Sequence, residues 1–216
     1  VDVQQPVHRG AWVTRVGSPA GLAAALAGGL ATGSFGAWAY HDDLLRPLAH
    51  RFGLWVLLVA LLSARQPART AIARSVLGLA TAVLAFYVGK QVMYGIDYPG
   101  MPYALNFSVI AEWLVLAAVA GSLLGWAFHS IGRDGRRGAP ATAAAVGLLV
   151  ADAFRRSTNY ATDGRVLVPF AALAVVLVLA VGVRSLRQLA GTAVWALPIP
   201  PWVCCSSPDP ISSSSC

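Results

Sequence analysis

The chain has 216 residues, 57% of them hydrophobic and 12% charged, with a mean hydropathy of +0.64. A soluble domain carries roughly 25% charged residues, so this composition excludes a water-soluble globule and makes a bilayer the natural solvent. The formal charge of +7 does not make nucleic acid a partner. The basic residues stand at the ends of apolar segments, as in cytoplasmic loops, and no nucleic-acid module signature is present.

Lys90 is the only lysine against fifteen arginines, in a chain rich in Ala, Gly and Val. That usage points to a GC-rich, actinobacterial coding sequence, and Val1 is what raw translation of a GTG start codon gives.

Residues 1–18 read as a short cytoplasmic arm. The first apolar run, 19–40, is longer than a secretory h-region of about 7–15 residues, so an uncleaved span is expected. Its Gly29-x-x-x-Gly33 pair permits close helix approach, but in a chain this rich in small residues chance accounts for such a match. The second span is expected over 47–64, with His50 and Arg51 near a membrane surface, where Arg can snorkel. The third, 71–89, ends at Lys90, and a Tyr-, Pro- and Gly-rich loop is expected over 91–106. The fourth span is 107–128, the fifth 139–154 after a basic turn, and the sixth 166–183. The whole is an all-α integral membrane bundle of about six transmembrane helices, occupying residues 19–187. Residues 188–216 form an interfacial apolar segment, broken by Pro198, Pro200 and Pro201, and a disordered Ser/Cys tail.

Positive charge orients the bundle. Six spans put ten basic residues on the side of the termini, from Arg9 to Arg187, and six on the other: Arg46, Arg51, Lys90, Arg155, Arg156 and Arg165. Both termini are therefore expected in the cytoplasm and the protein in the plasma membrane.

That topology sends the ionisable residues that intrude furthest into apolar runs to the outer side. Lys90, Tyr94, Asn106, Glu112 and Asp152 are the candidate ligand-binding residues, with Asp42, Asp43, Tyr98 and Tyr103 nearby. Charges in a membrane are costly and mark functional sites unless they pair. Glu112, surrounded by apolar residues, is suited to ligand binding or proton exchange, or alternatively to an ion pair with Lys90 or interfacial exposure. Asp152 is a ligand residue or a helix-end partner of Arg156, four residues on. Lys90 is a ligand or a snorkelling end residue, and Trp38, Trp55, Trp113 and Trp126 are interface or packing residues. Cys204, Cys205 and Cys216 have no spaced His or Cys partners, so no metal and no cofactor is expected. The nucleophile elbow, the paired-His zinc motif and the Walker loop are all missing.

The run from Glu112 to Gly125, the basic turn to Arg137 and the stretch Gly147–Arg155 resemble a family of small actinobacterial multi-pass membrane proteins of unknown function, over about residues 20–185. The layout is also similar to the six-helix substrate-binding subunits of energy-coupling-factor vitamin transporters. That likeness implies a small-molecule ligand bound from outside near Lys90, Glu112 and Asp152, with a separate coupling subunit as partner. It also implies a docking surface on the small-residue face of the first span. The chain has no vitamin-specific motif, and the Ser/Cys tail departs from the family pattern, as a frameshift would make it do.

Three functions fit: a small-molecule-binding transporter subunit, a membrane-embedded enzyme using a buried carboxylic acid in the manner of a terpene cyclase, or a structural or regulatory subunit. In each the lipid bilayer is a partner, beside a further membrane protein or a second copy of the chain.

Overall fold

The computed structural model describes residues 18–49, 51–101, 104–133, 137–183, 190–192 and 194. Its elements are all helices: α1 (Pro19–His41), α2 (Arg46–Ala49), α3 (Gly53–Ser63), α4 (Ala68–Asp97), α5 (Phe107–Phe128), α6 (Gly138–Asn159) and α7 (Ala161–Gly182). The Cys-containing tail and nearly all of the arm at 1–18 lie outside the described residues, as do His50 and Tyr103.

Among the described residues, four helices are long and apolar enough to cross a membrane: α1, α4, α5 and Thr162–Gly182 of α7. α6 is 22 residues long but less apolar, diluted by Gly138, Pro140 and Thr142 at its start and by Asp152, Arg155 and Arg156 near its end. The second expected span is not one helix. Arg51 and Phe52 interrupt it, leaving the single turn α2 and the 11-residue α3. At 1.5 Å per residue α3 covers about 16 Å, roughly half a hydrocarbon core.

Local chemistry sets the helix ends. The Ser18 hydroxyl accepts from the Gly21 N–H at 3.2 Å, with Pro19 in the first turn, and together they start α1. The loop expected at 91–106 begins only after Asp97. α4 continues through Gln91–Asp97 because nothing breaks it before Pro99, whose preceding residue, Tyr98, is the cap. The extension puts Tyr94 and Asp97 on a helix rather than a loop.

α1 inverts the soluble pattern. Gly21, Ala25, Gly29 and Gly33 are buried, while Leu22, Leu26 and Leu30 are exposed. Large apolar residues outside and small ones inside suit a helix whose outer face meets lipid and whose inner face packs closely. A Cβ on Gly29 would meet the Gly78 carbonyl and lie 2.9 Å from Thr81 Cβ. One on Gly33 would meet the Ala82 carbonyl and lie 2.8 Å from Ala85 Cβ. The Gly29–Gly33 match is therefore no accident of composition, and this face is not a docking surface, because α4 covers it.

On its other side α4 meets α5, where a Cβ on Gly121 would stand 2.9 Å from Val76 Cα and one on Gly125 3.0 Å from Ile72 Cα. The contacts run in step between α1 and α4, from Gly29–Gly78 to His41–Asp97, so these two helices are parallel. α5 runs antiparallel to α4, since Gly121 meets Val76 and Gly125 meets Ile72.

α3 occupies the centre, with Val59, Ala60 and Ser63 buried. It touches α1, α4, α5, α6 and α7. At its end Ser63 and Ser75 share a hydrogen bond of 2.9 Å, both fully buried. Arg65 then turns with a positive φ of 62°, held where its N–H donates to the Ile131 carbonyl at 2.9 Å and its guanidinium to the Val181 carbonyl at 2.6 Å.

The serine pair yields a direct test. Ser63→Ala strands the Ser75 hydroxyl and is expected to cost about 1–2 kcal/mol. The double variant Ser63→Ala/Ser75→Ala should recover about half of that loss in a thermal melt. Equal melts for the three proteins would remove the bond from the core.

Candidate functional site

Acidic and basic residues near the ends of α1, α4 and α6 meet at the end of the bundle marked by Lys90, where two adjacent cavities share part of their walls. The larger, about 400 Å³, is walled by α3, α4, α5 and α6 and is apolar except for Asp152 and Arg155. The second, about 290 Å³, shares Phe52, Trp55, Val83 and Trp113 with it and adds Tyr40, Arg51 and Lys90. A third space of about 480 Å³, lined by Tyr40, His41, Arg46, Tyr94, Asp97 and Tyr98, adjoins the second at Tyr40.

Arg51 is the group sequence reasoning missed. It does not snorkel to a surface. Its side chain is 14% exposed, and its guanidinium lies 3.9 Å from Asp152 Oδ1, an ion pair too long for a hydrogen bond. Its Nε is buried and unpartnered. A cation inside an apolar run of 18 residues was the available signal.

Asp152 is 19% exposed and faces Arg51, not Arg156. The expected pairing four residues on is replaced by a tertiary one, because Arg156 turns to Asp163 across the α6–α7 corner at 2.5 Å and stacks on Tyr160. A Cβ on Gly53 would stand 3.6 Å from Asp152 Oδ2, so the carboxylate sits at the first turn of α3. No side chain caps that turn, and the partial positive charge at a helix's first turn favours a negative group.

Lys90 lies over the Tyr40 ring, its Nζ 3.8 Å from the centroid, and lines the second cavity. Tyr94 packs against His41 and Tyr98 in the third space. There His41 Nδ1 stands 3.1 Å from Asp97 Oδ2, a pairing across 56 residues of sequence. Asn106 caps α5, its side chain accepting from the Val109 N–H at 3.2 Å. Glu112 is exposed, lines none of the three cavities, and forms no ion pair with Lys90. Its neighbour Trp113, though partly exposed, lines two of them.

Asp42 and Asp43 shape the loop before α2. Asp42 accepts from the Leu44 and Leu45 N–H groups at 2.9 Å, and Asp43 pairs with Arg46 at 2.8 Å. Among the described residues, no three His, Cys, Asp or Glu side chains come together as metal ligands.

These features define a helical bundle of membrane type with a cleft that is charged at one end and apolar below. The chain belongs to the DUF6518 family, a family of unknown function, which matches residues 13–202. Neither a curated protein nor a solved structure matches it.

Proposed function

We propose that this chain is a multi-pass membrane protein that binds a small molecule in the cleft among α3, α4, α5 and α6. The observation that carries the reading is the pair of adjacent cavities that share Phe52, Trp55, Val83 and Trp113, with Arg51, Asp152 and Lys90 at one end. Concave, mostly apolar sites with a few convergent polar groups are the usual form of a ligand pocket. In this reading the termini are cytoplasmic, the charged end faces out of the plasma membrane, and residues 19–187 form the membrane domain. The likeness to transporter substrate-binding subunits then calls for a separate energising subunit. The enzyme reading is weaker, because Glu112 is exposed and leaves Asp152 as the one acid at the cleft.

Gentle purification followed by native mass spectrometry tests the proposal. A small molecule should accompany the protein, at the same occupancy in Glu112→Gln as in the wild type. A bare wild-type protein, in every detergent that keeps it folded, would count against the reading.

A further inference from the structure

We propose, building on the ligand cleft above, that its occupant is a single-chain anionic amphiphile that enters sideways from the bilayer. Its carboxylate or phosphate head sits at Arg51 and Lys90, and its hydrocarbon chain runs down between α5 and α6.

The charge balance at the upper end argues for an anion. Among the described residues, Arg51, Lys90 and Arg155 supply three positive charges, and Asp152 is the single acidic residue on either cavity wall. The Arg51 guanidinium keeps its donors largely unspent, since its contact with Asp152 is long and its Nε has no partner. Buried guanidinium donors are satisfied best by a planar, charged acceptor. The first turn of α3 lies beside it and adds partial positive charge.

Below this end the lining is hydrocarbon: Leu79, Val83, Leu116, Ala120, Leu124 and Leu148. From Trp113 to Leu124 is eleven residues of α5, about 16 Å. That is roughly the depth of one leaflet, half of a hydrocarbon core of about 30 Å. A neutral apolar ligand would leave the Arg51 donors unmatched, and a bare anion would leave the long apolar part unfilled.

The packing also supplies the door. α5 packs mainly on α4 and α6 mainly on α7, so α5 and α6 meet along a thin seam. Trp113, Leu116 and Leu148, all lining the larger cavity, are partly exposed along it. In a bilayer such a seam opens onto acyl chains, so the amphiphile need not cross the aqueous mouth.

The test uses the purified full chain in a neutral maltoside detergent, with Trp55 and Trp113 as fluorescent reporters in the cleft wall. Four probes are titrated: dodecanoate, dodecyl phosphate, dodecanol and inorganic phosphate. One or both anionic amphiphiles should bind at least about tenfold tighter than dodecanol and inorganic phosphate. Which of the two binds better identifies the head group. Arg51→Gln should erase the preference over dodecanol. Asp152→Asn, which removes the one negative charge near the head, should tighten anion binding about threefold or more, a gain that damage to the fold would not produce. Dodecanol binding as tightly as both anions would overturn the anionic head and leave the cleft proposal standing. Inorganic phosphate binding as tightly as dodecyl phosphate would overturn the chain. Binding of none of the four would overturn this inference, while a different molecule in the mass spectra would keep the cleft.

Discussion

Gly33→Leu should prevent the protein from folding to a monodisperse species in detergent. The new side chain would be driven into the Ala82 carbonyl, a backbone atom that cannot swing aside, and into Ala85. Overpacking a tight core costs about 1–3 kcal/mol when side chains can yield. Here α1 must separate from α4 along a contact that also runs through Gly29, so the expected cost exceeds about 3 kcal/mol. That is a large share of a typical stability of about 5–15 kcal/mol. Ala31→Leu, two residues away on the exposed face, is the control and should change the melt by less than about 0.5 kcal/mol. Size-exclusion profiles and melts of the two variants decide the matter. A Gly33→Leu protein that melts like the wild type would mean that α1 and α4 do not pack as described.

Ala120→Trp should empty the cleft without unfolding the protein. Ala120 lies half-buried on α5 and lines the larger cavity, so an indole there enters space that is already open. Filling a void does not require the displacement that Gly33→Leu does. Ligand occupancy in native mass spectra is expected to fall at least about tenfold, equivalent to about 1.4 kcal/mol of binding. The melting temperature of the unliganded protein should stay level or rise. Full occupancy in a folded Ala120→Trp protein would place the ligand elsewhere.

Several parts of this architecture were legible in the sequence. The apolar runs near 19–40, 71–89, 107–128 and 166–183 correspond to helices of membrane-crossing length, since a continuous hydrophobic stretch needs no partner to be recognised. The break at Arg51–Phe52 was not legible. An 18-residue apolar segment reads as one span unless the cation inside it has a known destination, and Asp152 lies 101 residues away. The glycine pairs were visible but uninformative alone, because their meaning depends on which helix they face.

The candidate site was legible as a set of residue types at one end, not as an arrangement. Asp152 lines the larger cavity and Lys90 the adjacent one, while Asn106 turns to its own helix and Glu112 lines neither. Hydropathy treats all residues of a span alike, so it could not separate Glu112 from Trp113, one position on and facing the cavities.

The half-length α3 also bears on biogenesis. At 11 residues it cannot satisfy the thickness of a bilayer, and its first turn has no side-chain cap. A segment of this kind has no stable home in lipid until neighbouring helices surround it. Its packing partners include α4, α5, α6 and α7, all of which leave the ribosome after it. The N-terminal part of the chain therefore emerges before the helices that shelter α3. The cleft is walled by α3, α4, α5 and α6, so it cannot be complete before α6 has joined the bundle, which makes its completion a late event in assembly.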